Sequence, residues 1–315
     1  MRVAVTGADG FVGRPTCKSL TSAGHEVVAI VRRPPVGDGL VAHRVVVSSD
    51  VGADLVGAQA LAGADVIVHL AAKTHAARGT ESEAEYTHAN VDLTRSLVKA
   101  AVDAGVQRFV FVSSIKVNGE ATAGSPFTPQ MRPAPLDGYG RSKAAAEAML
   151  RSDFGTKLDV VILRPPLMYG PRLRGNFARL FAIAERGIPL PFKSVENARD
   201  ILSVFSFADL IARVVAHPAA AGRTFLARDG APVSTPQLVS AIAQSLGRPT
   251  RLLPFPPALL RMTGTLLGRA DEVQRLVGDL EINDDLTRSL LGWSPPTSMS
   301  ETLEATAAWW KSRRE

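Results

Sequence analysis

Tyr139-Gly140-Arg141-Ser142-Lys143 places a phenol and an amine four residues apart. On a helix, positions i and i+4 share a face. A phenol has an ordinary pKa near about 10 and is a poor base at neutral pH. A nearby ammonium favours the phenolate, so such a tyrosine could take or give a proton near pH 7. Upstream, the apolar run Arg108–Ser113 (RFVFVS) ends in the pair Ser113-Ser114. A hydroxyl at a strand end could hydrogen-bond a reacting oxygen beside Tyr139. Serines there are also common turn formers, and Tyr139 could equally be a half-buried aromatic at a helix start.

A second cluster stands at the N-terminus. Thr6-Gly7-Ala8-Asp9-Gly10-Phe11-Val12-Gly13 follows an apolar run, Arg2–Thr6, and opens a helical pattern, Phe11–Ala23. In a dinucleotide loop of this spacing, Gly7 makes the tight turn, Gly10 admits a pyrophosphate, and Gly13 packs helix on strand. The helix start, with the amides of Phe11 and Val12, supplies N–H groups for phosphates. Such folds usually carry an acid at the end of the second strand to bind a ribose 2′-OH. Here that strand, Glu26–Val31, runs into Arg32-Arg33-Pro34. Guanidinium matches a 2′-phosphate bidentately, so NADP is expected over NAD, with NAD as the alternative. Exposed loop charge would look the same. Asp50, after the next strand, could bind the adenine amino group or simply cap a helix.

The elements that must position these residues read clearly in the first half. Apolar runs at Arg2–Thr6, Glu26–Val31, Arg44–Val47, Asp65–Leu70, Arg108–Ser113 and Leu158–Leu163 alternate with helical patterns, including Glu81–Ala104 and Tyr139–Arg151. Strands apolar throughout, with helices between, predict a parallel sheet covered on both faces. The expected fold class is α/β, a Rossmann-type doubly wound parallel sheet. After Arg164, Pro and Gly become frequent and helices dominate: Asn176–Arg186, Phe207–His217, Thr235–Leu246, Pro257–Leu267 and Ser300–Lys311, with a short strand at Thr224–Ala227. The division expected is 1–164 for the dinucleotide and 165–315 mainly for substrate, in a smaller mixed α/β region. The chain could cross between lobes more than once.

Composition narrows the classes. The chain has 315 residues, 46% hydrophobic and 21% charged, as in globular proteins. The one cysteine, Cys17, excludes an intrachain disulfide and a four-cysteine zinc site; no metal is expected. No apolar run is long enough for a spanning helix. Met1–Val5 meets Gly7 at once, which does not read as a signal peptide. A cytoplasmic enzyme is therefore expected. Net charge is +6, but the basic residues are scattered and do not alternate with aromatics, so nucleic acid is not expected as partner. An anionic small substrate suits the charge.

These residues together carry a resemblance. TGADGFVG, His69-Leu70-Ala71-Ala72, Ser113-Ser114, Tyr139–Lys143, Leu163-Arg164-Pro165 and Tyr169-Gly170-Pro171 occur in order. The chain resembles the extended short-chain dehydrogenase/reductases, the NAD(P)-dependent epimerase/dehydratase group acting on nucleotide sugars. The likeness covers nearly the whole length, to Leu291-Gly292-Trp293 and the Trp309-Trp310 helix. The run Ser113–Glu120 looks like the UDP-glucose 4-epimerase-like branch, which includes 4-keto-sugar reductases of bacterial surface polysaccharide pathways.

The resemblance implies that Gly7, Gly10, Phe11, Val12 and Gly13 hold the pyrophosphate, and that Ala71 and Ala72 line the nicotinamide ribose. It implies Ser114 as the catalytic hydroxyl with Ser113 beside it, and Tyr139 as acid/base. Lys143 bonds the ribose and lowers the phenol pKa. Ser114, Lys116, Asn176 and Arg199 face the substrate, the last two gripping its diphosphate. Dehydratases of the group carry an Asp-Glu pair where this chain has Ile115-Lys116, so dehydration is not expected. The favoured reading is reduction of a nucleotide-linked 4-keto-hexose, with UDP as the expected nucleotide. UDP-hexose 4-epimerisation on retained NAD is the alternative, and a non-catalytic NADP-binding regulator is a second class. A homodimer through Glu81–Ala104 and Tyr139–Arg151 is possible by the same resemblance.

Overall fold

The structure is a computed structural model that describes residues 1–35, 37, 39–48, 60–74, 82–173 and 175–313, with Asn176 described in its backbone only. Asp50 lies outside the described residues. The strands are β1 (Arg2–Thr6), β2 (Glu26–Val31), β3 (Arg44–Val47), β4 (Val66–His69), β5 (Arg108–Val112), β6 (Asp159–Arg164), β7 (Leu167–Tyr169), β8 (Ile201–Ser203) and β9 (Thr224–Leu226). The first-half helices are α1 (Gly13–Ser22), α2 (Glu83–Thr87), α3 (Leu93–Asp103) and α4 (Gly138–Met149). Then follow α5 (Gly175–Glu185), α6 (Val204–Ala216), α7 (Thr235–Ser245), α8 (Pro257–Leu266), α9 (Ala270–Val277), α10 (Asp285–Leu291) and α11 (Met299–Ser312).

Seven strands form one sheet in the order β3-β2-β1-β4-β5-β6-β9. Every pairing in it is parallel, with Ala4 between Val28 and Ile67 in register. All carboxyl ends therefore emerge at one edge: Thr6, Val31, His69, Val112 and Arg164. Alternation feeds two cores. Val3 and Val5 join Cys17, Leu20 and the α6 residues Phe207 and Leu210 on one face. Ala4 and Ile67 join Leu97, Phe109, Phe111 and Ala146 on the other. This is the doubly wound layout that the apolar runs require.

The structure departs from the sequence reading at three of these elements. The helical pattern 81–104 is broken by a π-turn at His88–Asp92, where the buried Asn90 turns inward. Helix α6 begins at Val204 rather than Phe207, because the Ser203 hydroxyl accepts a bond from the Phe205 amide and caps it. The short strand at 224 belongs to the main sheet, beside β6. Helices α9 and α10 and the small parallel pair β7–β8 are short and lie outside the sequence reading. Among the described residues, no helix is long and apolar enough to cross a membrane.

One buried ion pair locks α4 to the sheet. Arg164 ends β6, and both its side chain and that of Glu147 are buried. Arg164 donates Nε to Glu147 Oε1 at 2.9 Å and Nη2 to Oε2 at 2.6 Å, and Nη1 reaches Asn118 Oδ1 at 2.9 Å. Removing one partner strands a buried charge, which typically costs about 3–5 kcal/mol. Glu147→Ala should lower stability by that order in urea unfolding, with an unchanged m-value; a loss under about 1 kcal/mol would show that the pair does not clamp α4.

Candidate active site

At the carboxyl edge the first loop closes on itself. Gly7 has φ +67°, and a Cβ there would stand 3.0 Å from the Ala71 amide nitrogen. A Cβ on Gly10 would stand 3.0 Å from the Gly7 carbonyl oxygen, and one on Gly13 would overlap that oxygen. Only glycine permits this approach of helix to strand. Val12 sits at the N-cap of α1, and no side chain caps the helix. Its first amides and the positive end of its dipole are thus presented at the sheet edge. Phe11 turns away and packs on the cluster of Tyr169 and Phe177. Ala71 and Ala72 are half-buried beside the loop.

Ser114 follows β5 and caps a short 3-10 turn, accepting a bond from the Lys116 amide at 3.3 Å. Asp137 caps α4, accepting from the Gly140 amide at 2.7 Å. That cap sets Tyr139 in the first turn and Lys143 one turn on, facing the sheet. The Ser114 hydroxyl lies near enough to the Tyr139 phenol to favour its ionised form. Burial chiefly, then the Asp137 carboxylate, pushes the phenol well above its ordinary range, while the Ser114 hydroxyl opposes this. Lys143 is buried, with Nζ 4.2 Å from the centre of the Phe111 ring. Burial pulls its ammonium down to about 7, against the charge of Glu147. No described residue accepts a hydrogen bond from it.

Beside it lies His69, pressed down to about 3 by burial and by the Lys143 charge, and so neutral. Its ring bonds Thr6 at 2.7 Å and Thr94 at 3.0 Å. Asn90 ties three pieces together: its Oδ1 accepts from the Lys73 amide at 2.9 Å, and its Nδ2 donates to the Lys73 carbonyl at 3.1 Å and to Ser142 Oγ at 2.9 Å. The Ser113 Oγ is buried without a partner. An unpaired hydroxyl, an unpaired ammonium and an uncapped helix start converge on one edge. A dinucleotide's phosphates and ribose hydroxyls are the chemistry that fits them.

The remaining expected residues are placed as follows. Arg32 and Arg33 come directly after β2 and are exposed. Lys116 forms ion pairs with Asp137 and, at 2.8 Å, with Glu120. Glu120 in turn accepts from Arg275 of α9 at 2.8 Å. Arg199 is partly buried, donates to the Gly278 carbonyl at 2.8 Å, and feels Glu120, Arg275 and Asp279; burial lowers its pKa. Lys116 and Arg199 thus meet one charged network. Asn176 is at the start of α5. Asn90, Glu120, Asp137 and Arg275 were missed in the sequence. Asp137 carried a signal, an acid just before a helix; Arg275 carried none, being paired across 155 positions.

Residues 3–226 match the NAD dependent epimerase/dehydratase family. A UDP-glucose 4-epimerase of Vibrio cholerae is 39% identical over 312 residues, covering 97% of this chain and 94% of its own. A dTDP-glucose 4,6-dehydratase of Streptomyces griseus is 30% identical over 98% of this chain and 94% of its own. The solved structure of MoeE5 in complex with UDP-glucuronic acid and NAD aligns with a TM-score of 0.78 at 26% identity, across 99% of this chain and 100% of that one. The chain belongs to the NAD-dependent epimerase/dehydratase family of enzymes.

Proposed function

We propose that the protein is a 4-epimerase of a UDP-linked hexose that retains NAD. The observation that carries this reading is the likeness to the Vibrio cholerae epimerase over almost the full chain, joined to a site with one proton relay and no free acid pair. It displaces the 4-keto-sugar reduction favoured by Arg32 and Arg33, for which no relative above speaks.

The glycine loop, Ser113 and Lys143 would hold the dinucleotide, which would supply a hydride acceptor and donor for C4 of the sugar. The rest falls to this chain's own groups. Tyr139 takes the proton of the C4 hydroxyl and gives it back, and Ser114 orients that hydroxyl. Left alone, the protein holds Tyr139 as neutral phenol, so a cation arriving beside it must supply the push toward phenolate. Lys143 binds ribose hydroxyls and escapes its unpaired state. Arg199 and Asn176 would meet the diphosphate. Elimination at C5 and C6 would need a free carboxylate near Ser114. The two carboxylates that meet that turn, Glu120 and the α4 cap Asp137, are both engaged with Lys116.

Incubation with UDP-glucose or UDP-galactose should interconvert the two, read by product NMR, with no net change at the NADH absorbance. NADPH consumption with a UDP-4-keto-sugar and no interconversion would establish the reductase instead. A 4-keto-6-deoxy product would overturn both.

Tyr139→Phe keeps the ring and removes the proton. Turnover should fall by about 10²-fold or more, with NAD affinity nearly intact. Lys143→Met removes a buried, unpaired cation. An unfolded lysine titrates near about 10.4 and the folded one near 7, so the cost of burying the charge is full below pH 7 and fades toward pH 10. The variant without cofactor should therefore melt higher than wild type at pH 6, with the gap closing as pH rises, while its turnover is lost.

A further inference from the structure

Helix α8 is apolar on two sides. Leu260 and Gly264 face inward, and a Cβ on Gly264 would stand 2.6 Å from Val273 of α9, so α8 and α9 form a tight hairpin. The other apolar side faces solvent. Leu259, Met262 and Leu266, at spacings of one helical stripe, are 41%, 54% and 78% exposed. Leu267, at the turn, is 74% exposed, and Leu253, in the segment leading in, 54%. Five of the large exposed hydrophobics of the described chain thus lie within one short stretch. A surface helix normally turns polar residues outward, and a contiguous exposed apolar patch marks an interaction site.

The charge around the patch has one sign. From Gly247 to Ala270 the sequence holds Arg248, Arg251, Arg261 and Arg269 and no Asp or Glu. All four arginines are exposed. None of their side chains forms an ion pair or a hydrogen bond among the described residues. A neighbouring turn adds the exposed Lys193, whose amide bonds the Leu253 carbonyl at 3.1 Å. Carboxylates return only at Asp271 and Glu272, in the first turn of α9.

We propose that the α8–α9 hairpin seats the protein on an anionic phospholipid surface. Leucine and methionine side chains flanked by arginines are what an interfacial helix needs: apolar groups to enter the acyl boundary and guanidinium groups for lipid phosphates. A helix of 10 residues cannot span the bilayer; it lies in the plane. A second copy of the chain fits this face poorly. A two-fold contact sets the same patch against itself, which would bring the unpaired arginines together.

The test is co-sedimentation of the full chain with vesicles of phosphatidylglycerol and phosphatidylcholine in equal parts, and with phosphatidylcholine alone. Binding should require phosphatidylglycerol and weaken with salt. Leu266→Glu/Leu267→Glu and, separately, Arg261→Glu/Arg269→Glu should each lower it by at least about tenfold. UDP-hexose turnover and melting temperature should stay unchanged, since these side chains are exposed and distant in sequence from Ser114 and Tyr139. No sedimentation with anionic vesicles, or equal binding by both variants, would overturn the proposal. So would a dimer that the leucine variant converts to monomer in sedimentation equilibrium, which would assign the face to a second copy.

Discussion

Inside this protein an ammonium lies under the first turns of α4, against a phenylalanine face, with no acceptor among the described residues. Burying a charge this way is costly, and much of the surrounding architecture holds the helix in place despite it. Asp137 caps the start of α4 and pairs with Lys116. Glu147, one turn beyond Lys143, is gripped by Arg164 at the end of β6. Asn90 holds Ser142 from the side. His69, a neutral ring, adds no second charge. The helix is fastened before, beside and beyond the lysine.

The charged network beyond β5 is built on another principle. Its charges are paired rather than isolated. Glu120 sits between Lys116, on the turn after β5, and Arg275, on α9. A single carboxylate therefore joins the sheet edge to the C-terminal helices. Arg199 approaches the same carboxylate, though its own bond goes to a backbone carbonyl. An anionic ligand entering here would compete with carboxylates already in place, which favours a doubly charged group over a singly charged one.

Much of the fold was legible because its signals are local. Strands β1, β2, β4, β5 and β6 are unbroken apolar runs, and a parallel sheet buried on both faces has no other pattern. The glycine loop was equally plain, since Gly7 takes a positive φ and Gly10 and Gly13 approach Gly7 and Ala8, all within one turn of chain. Tyr139 and Lys143 were visible as an i, i+4 pair. The π-turn at Asn90 was not, because the residue it carries is held by Lys73 and by Ser142, far along the chain. Lys116 was read as facing substrate, but its partners Asp137 and Glu120 were unseen. The cofactor choice drawn from Arg32 and Arg33 rested on side chains that the fold leaves in solvent, where sequence position decides least.

Strand β9 closes the sheet beside β6, and α6, packed against α1, precedes it in the chain. The sheet's last strand is thus made long after its first six. A chain emerging from the ribosome must keep β6 waiting as a bare edge while the segment from Pro165 to Arg223 is synthesised. Strand edges invite pairing with other chains. The interval is short on a cellular timescale, at about 5–20 residues per second, yet it is the stage at which this molecule is most open to misassembly with its neighbours.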